Sequence, residues 1–179
     1  ILFDNRGVGL SADTTENKTT IQQMADDTAG LIKALDLKKP DVLGWSMGAR
    51  IVQQLLIRHP EVVEKAVLAA ADPGGSRGVP ADKSVEDKLN DPNIPDTEKL
   101  ALTFTPGASG ELEAKAVYAR ILEAGKQGTA PNDFKVSKQT AERQNRARTT
   151  LWRADENNFK DLKNITNPVL VTDGRYDII

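Results

Sequence analysis

The clearest candidate for a catalytic residue in this chain is Ser46, a serine between two glycines. The segment Asp41–Arg50 reads DVLGWSMGAR, so an apolar strand pattern runs into Gly-x-Ser-x-Gly and a helical pattern follows at once. A serine at such a sharp strand-to-helix turn has a strained backbone and an exposed hydroxyl, an arrangement called a nucleophile elbow. The pattern predicts acyl transfer to Ser46. The alternative interpretation is a glycine-rich turn without chemistry.

The neighbours of Ser46 are expected to support that chemistry. The turn brings the positions two before and two after the serine together, so steric crowding favours glycine at both, here Gly44 and Gly48. The helix that starts at Met47 directs its positive end at the site. The Met47 amide is therefore the candidate oxyanion donor, a type of contact worth about 3 kcal/mol. Trp45 is expected to line the core behind the turn.

The order of elements predicts an α/β fold. Strand patterns occupy residues 1–3, 42–45, 65–71 and 168–172, and helical patterns follow Thr19 or Thr20 and Ser46. This rhythm favours a mostly parallel sheet with flanking helices. Residues 73–163 show helical patterns, including one helix over 137–154 that would place Leu151 and Trp152 on an apolar underside. We therefore predict a core of residues 1–72 and 164–179 and an all-helical lid insertion at 73–163.

Composition and charge exclude several function classes. The chain has 179 residues, 39% hydrophobic and 28% charged, with a net charge of −2. These values are typical of a soluble globular domain and give no sign of nucleic-acid binding. No apolar run reaches the length of a membrane span.

The absence of cysteine excludes thiolate catalysis and Cys-ligated metals. The Gly7–Gly9 pair lacks the third glycine of a dinucleotide loop, so no cofactor is expected. The compartment stays open.

The single histidine is badly placed to serve as a base. His59 follows Ser46 by thirteen residues, most of them in one predicted helix. At about 1.5 Å per residue the two lie roughly 20 Å apart. A general base must lie within hydrogen-bonding reach of the proton that it removes. His59 is therefore predicted to be only the C-terminal residue of that helix, before Pro60.

Four segments together resemble a known family. They read FDNRGVGLS at 3–11, GWSMG at 44–48, RHPE at 58–61 and PVLVTDGRYD at 168–177. In this order they resemble the serine-nucleophile branch of the α/β-hydrolase superfamily. The resemblance implies Asp177 as the triad acid, with Asp173 and Asp72 as alternatives. It also implies an internal fragment, because the N-terminal strands with the second oxyanion amide and the C-terminal histidine segment would lie outside this chain.

The resemblance implies a serine hydrolase that acts on small-molecule carboxylic esters or related acyl compounds, with no metal or organic cofactor. Serine at the elbow argues against the dehalogenase and epoxide-hydrolase branches, which use aspartate there. Two alternatives stay open: a cofactor-free haloperoxidase-like or C–C bond hydrolase, and a non-catalytic binding or interaction module. The fragment itself is expected to be inactive on esters and to form a homodimer through exposed sheet edges.

Overall fold

A computed structural model describes residues 1–12, 19–91, 93–128 and 136–177 of the protein. Their packing divides the chain into two compact units, one formed by residues 1–79 and 136–173 and the other by 80–135 and 174–179. Residues 136–163, assigned to the lid from the sequence, group with the first unit. The division into a core and a lid at residues 72 and 164 stays a prediction.

The first unit is built on a parallel sheet. Among the described residues the sheet has three strands in the order β1 (Val42–Trp45), β2 (Ala66–Ala69) and β3 (Val169–Thr172). Gly44 pairs with Leu68, and Leu68 pairs with Val171. The predicted α/β class is confirmed. Parallel pairing places the carboxyl ends of all three strands at one edge of the sheet, where Ser46 follows β1.

Two helices pack against each other on one side of this sheet, and the second of them contacts the strands. Helix α1 (Ile21–Ala34) starts at Thr20, whose hydroxyl accepts the amide of Gln23 at 3.0 Å. Helix α2 (Met47–Arg58) has the predicted bounds and ends before Pro60, which opens a 3₁₀ turn (Pro60–Val62). Apolar residues at helical spacing bury the facing sides of the two helices: Ile21, Met24, Ala25, Ile32, Ile51, Val52, Leu55 and Leu56.

The remaining part of the first unit is a series of short helical segments. A 3₁₀ turn (Gly75–Arg77) follows β2, and α6 (Lys138–Arg146), a π-turn (Ala147–Leu151), α7 (Trp152–Ala154), α8 (Glu156–Asp161) and a 3₁₀ turn (Leu162–Asn164) precede β3. The helix predicted over 137–154 is confirmed as a continuous helical run over 138–154, with one turn of π-helix at Ala147–Leu151. Trp152 is 1% exposed and packs against Gly74 within this unit.

The second unit contains helices α3 (Lys83–Asn90), α4 (Asp96–Ala101) and α5 (Ala108–Lys126). The Asp82 carboxylate caps α3 by accepting the amide of Ser84 at 2.8 Å. At Gly110 an added Cβ would lie 1.8 Å from the Thr105 carbonyl oxygen, so glycine permits the tight turn into α5. No helix within the described residues combines the length and hydrophobicity that crossing a membrane requires.

Two expectations about apolar residues were wrong. Residues 1–3 do not form a strand, and Leu2 is fully exposed. A strand needs a neighbour to accept its backbone hydrogen bonds, and no described segment pairs with these residues. Trp45 is 63% exposed rather than buried. It lies with Leu43 and Leu170 on the sheet face that α2 does not cover. Homodimer formation through the open sheet edges stays a prediction.

An ion pair at the C-terminal end of α2 predicts an acid-dependent loss of stability. The Arg58 Nε and Nη2 donate to the Asp26 carboxylate on α1, at 2.9 and 2.8 Å, and this pairing holds the pKa of Asp26 below its ordinary value of 3.8. A lowered pKa stabilises the fold above about pH 4, and that stability is lost as the pH falls through the folded-state pKa. We expect Asp26→Asn to cost about 1 kcal/mol or less at pH 7 because the pair is partly exposed.

Urea unfolding of the wild type and of Asp26→Asn between pH 2 and pH 7 measures how much the Asp26–Arg58 pair stabilises the fold. The difference in unfolding free energy between the wild type and Asp26→Asn should narrow below about pH 4, where the carboxyl of the unfolded wild type is protonated. A difference that stays constant over this range would contradict the assignment of the pH dependence to Asp26.

Candidate active site

Ser46 lies at the junction of β1 and α2 with a positive φ. Its backbone has φ 53° and ψ −119°, a conformation that costs a non-glycine residue on the order of 1–3 kcal/mol. The turn is held by hydrogen bonds: the Ser46 amide donates to the Ala69 carbonyl at 2.9 Å, and the Ser46 carbonyl accepts the amides of Ala49 and Arg50. The side chain is exposed and caps no helix amide. A strained, accessible serine hydroxyl is what a nucleophile elbow requires.

The two glycines of the motif have different environments. An added Cβ at Gly44 would lie 2.3 Å from the Gly48 carbonyl oxygen and 2.7 Å from the Ala49 Cα. Only glycine fits where β1 and α2 approach so closely. At Gly48, an added Cβ would meet nothing within 4 Å. The steric reason expected for both positions therefore holds for Gly44 and was wrong for Gly48.

Met47 is the first residue of α2, as predicted. The amides of the first helical turn have no carbonyl partner within the helix, and they form the positive end of its dipole. Helix α2 is 12 residues long, so this dipole is well developed at Met47. The predicted oxyanion donor therefore follows Ser46 directly and lies at the amino-terminal end of the helix, where the dipole is positive. Its role in catalysis stays a prediction.

His59 terminates α2 at the end opposite Ser46. It is the C-cap residue, and its Nε2 lies 2.7 Å from the Asp26 carboxylate. This geometry agrees with a structural role and separates the imidazole from Ser46 by the length of the helix. Among the described residues, no group of three or more histidine, aspartate or glutamate side chains lies close enough together to hold a metal ion.

The three candidate acids have distinct surroundings. Asp173 follows β3 directly and is exposed. Asp177 belongs to the second unit, where its amide donates to the Gly174 carbonyl at 3.1 Å in a turn. Asp72 follows β2, and its carboxylate is taken up by structural contacts with Arg50, Gly74 and Trp152. These contacts give the Asp72 carboxylate a structural role in the first unit.

The polar side of α2 is a feature that the sequence analysis did not identify. Arg50, Gln53 and Gln54 are three and four residues apart, so they lie on one stripe of a helix whose other side is apolar. Gln54 donates to Asn158 at 2.6 Å, and Asn158 in turn donates to Gln53 at 3.0 Å. Burial lowers the pKa of Arg50, and the neighbouring Asp72 carboxylate opposes that change. Polar residues at helical spacing within an apolar helix are the sequence signal for such a contact surface.

Loop residues 4–11 are also held in place by side chains. Arg6, whose side chain is 10% exposed, donates to Asp27 on α1 at 2.7 and 2.6 Å. Asp4 lies so close to Gly9 (φ 53°) that an added Cβ there would be 2.2 Å from its carboxylate. The Ser11 hydroxyl donates to the Asp4 carbonyl at 2.8 Å. The Arg6–Asp27 pair therefore attaches this loop to α1, and Asp4 contacts brace it from within.

Each unit has a groove of its own. In the first unit a groove of about 410 Å³ lies at the amino ends of the strands, opposite Ser46, and is lined by Asp41, Val42, Leu43, Lys65, Ala66, Val67, Pro168, Val169 and Leu170. Ligands of open α/β sheets bind at the carboxyl ends, so this groove is not assigned to the site. In the second unit a groove of about 490 Å³ lies between α4 and α5.

Comparison with known proteins gives the family. The model of the alpha/beta hydrolase fold matches residues 1–179. The candidate non-heme bromoperoxidase BpoC from Mycobacterium tuberculosis is 50% identical over 70 residues, which are 39% of this chain and 26% of that protein. The candidate carbamate hydrolase RutD from Caulobacter sp. strain K31 is 35% identical over 68 residues, 38% of this chain and 25% of that protein. The chain thus matches about a quarter of these relatives' lengths.

Solved structures agree with this result. The crystal structure of BpoC from M. tuberculosis H37Rv has a TM-score of 0.63 and 26% identity, covering 96% of this chain and 60% of that one. An alpha/beta hydrolase fold protein from Chitinophaga pinensis has a TM-score of 0.67 and 21% identity, covering 95% of this chain and 68% of that one. At that identity the second likeness concerns the fold alone. With its parallel sheet, its strained serine at the β1–α2 junction and a family match over its whole length, the chain belongs to the α/β-hydrolase family.

Proposed function

We propose that this chain carries the nucleophile of a serine hydrolase that acts on carboxylic esters or related acyl compounds. The observation that carries the proposal is the backbone of Ser46, which has φ 53° and an exposed side chain at the start of α2. Strained residues of this kind persist only where the surrounding structure fixes them, and they are concentrated at active sites. Membership of the α/β-hydrolase family supports the same conclusion.

The proposed reaction has two steps. The Ser46 Oγ forms a bond to the acyl carbon while a histidine outside residues 1–179 takes its proton, and the alcohol leaves with that proton. Water then attacks the acyl-serine, releasing the acid and regenerating the hydroxyl. The Met47 amide stabilises the negative oxygen in both steps, and Asp177 orients the histidine. No metal or organic cofactor takes part in this scheme.

Fluorophosphonate labelling of Ser46 tests the proposal. The sample is the product of the longest open reading frame that contains this chain, compared with its Ser46→Ala and Ser109→Ala variants. We expect wild type and Ser109→Ala to be labelled alike, because Ser109 is an exposed residue of α5 in the second unit. Ser46→Ala should lose the label and lower turnover of p-nitrophenyl esters by about 10⁴-fold or more. An unlabelled wild type would favour a non-catalytic binding module.

A second candidate function is halide oxidation without a cofactor. It is favoured by the local 50% identity to a protein named as a non-heme bromoperoxidase. The assay is bromination of a β-diketone with bromide and hydrogen peroxide, run beside the ester assay on the same preparations. Ser46-dependent bromination without ester turnover would replace the hydrolase proposal, whereas ester turnover alone would support it.

A further inference from the structure

Arg50 connects the elbow to the rest of the first unit. Its amide donates to the Ser46 carbonyl at 3.3 Å, so its backbone is part of the first turn of α2. Its side chain is 19% exposed and lies 2.5 Å from the Asp72 carboxylate. The guanidinium also donates to the Arg148 carbonyl in the π-turn, while its Nε is buried without a described acceptor. A charge that is buried to this extent depends on its carboxylate partner.

Asp72 is fixed from several directions. One carboxylate oxygen accepts the Gly74 amide at 2.7 Å and the Trp152 indole N–H at 2.8 Å, and the other faces Arg50. Its carbonyl accepts the Gln53 side chain at 3.0 Å. Trp152 itself is buried against Gly74, whose φ of 71° lets the chain pass the indole at a distance where an added Cβ would lie 2.9 Å away. Asp72 thus links the Arg50 guanidinium to the Gly74 amide and the Trp152 indole.

Helix α2 is therefore anchored at both ends by an aspartate–arginine pair. Asp72 binds Arg50 at the end next to Ser46, and Asp26 binds Arg58 at the end next to His59. We propose that Asp72 is a positioning residue for the nucleophile: through Arg50 it fixes the first turn of α2, and with it Ser46 and the Met47 amide. The relevance to catalysis rests on the proposed function, but the anchoring itself is testable without any activity.

Amide hydrogen exchange on the 179-residue chain tests the anchoring. The amides of Ala49 and Arg50 donate to the Ser46 carbonyl, so their exchange reports on the elbow turn. We expect Asp72→Asn to raise exchange of these two amides about tenfold while Leu55 and Leu56 change little. Asp26→Asn is the matched control, since it makes the same substitution on the pair at the other end of the helix and should leave Ala49 and Arg50 unaffected.

A merely structural role of Asp72 gives a different result. Loss of global stability would raise exchange along the whole of α2 by a similar factor, and that outcome, or no change at Ala49 and Arg50, would overturn the proposal. Should Asp72→Asn fail to fold, Trp152→Phe removes only the indole donor and is expected to give a smaller increase at the same two amides. No such increase in Trp152→Phe would then overturn the proposal.

Ester kinetics of the open-reading-frame product that contains this chain separate this inference from the proposed function. Asp72→Asn should lower kcat about tenfold with KM unchanged, because an acyl-accepting serine and its oxyanion donor act in the transition state. Asp26→Asn should change neither constant. A wild type without Ser46-dependent turnover would refute the hydrolase but leave the exchange result standing. Normal kcat in Asp72→Asn beside an active wild type would refute the positioning role alone.

Discussion

The 179-residue chain by itself is expected to hydrolyse p-nitrophenyl acetate no faster than its Ser46→Ala variant. Its one histidine caps the C-terminal end of α2 and lies 2.7 Å from Asp26, whereas Ser46 precedes the other end of this 12-residue helix. A base roughly 20 Å from the hydroxyl cannot take its proton. Loss of the histidine from a serine triad costs on the order of 10⁶ in kcat, which brings turnover to the background.

The experiment compares the wild-type chain with Ser46→Ala and His59→Gln at equal concentration. Glutamine keeps a side-chain donor for Asp26, so His59→Gln should fold and should hydrolyse the ester at the same background rate. A Ser46-dependent rate that disappears in His59→Gln would show that His59 reaches the serine, in conflict with the structure. A Ser46-dependent rate that survives in His59→Gln would require another base within the chain and would equally refute the expectation.

Alanine substitutions at the two glycines of the elbow should have opposite effects on stability. In Gly44→Ala the new Cβ would lie 2.3 Å from the Gly48 carbonyl oxygen, a backbone atom that cannot move without displacing α2 from β1. We expect a loss of about 3 kcal/mol or more. Gly48 is the second residue of α2, and the Cβ of Gly48→Ala meets open space there, so alanine is favoured over glycine by at most about 1 kcal/mol.

Urea unfolding followed by tryptophan fluorescence measures both variants against wild type. Each adds one methyl group to a glycine of the same motif, so Gly48→Ala is the control for Gly44→Ala. Equal destabilisation of the two would mean that the motif glycines are equivalent, as the sequence pattern alone suggests. A stable Gly44→Ala would contradict the close approach of β1 and α2.

Local signals predicted the elbow and its flanking elements well. The bounds of α2 and β1 follow from short-range features, namely an apolar run, two glycines and the His59–Pro60 stop. Thr20 was likewise one of two expected caps of α1. Ser46 and Met47 lie in these same local elements, so their positions could be derived from ten residues of sequence.

Features that depend on distant residues could not be predicted in the same way. Residues 1–3 have the composition of a strand but find no partner among the described residues, because pairing is a property of the neighbour as much as of the segment. The helical pattern over 137–154 predicts the helix but not its π-turn at Ala147–Leu151, where the Arg148 carbonyl accepts a hydrogen bond from Arg50, 98 residues earlier. The role of Asp177 depends on the histidine that it would orient.

Because Ser46 has a positive φ, the residue that would stabilise the fold most at this position is not the one that the proposed reaction needs. Glycine would adopt φ 53° without strain and would stabilise the fold, but it would remove the hydroxyl of the proposed nucleophile. A library of this chain selected only for resistance to heat would therefore be enriched in glycine at position 46, and so in proteins that fold better and cannot react. Selection for thermostability would therefore have to hold position 46 as serine if the proposed reaction is to be kept.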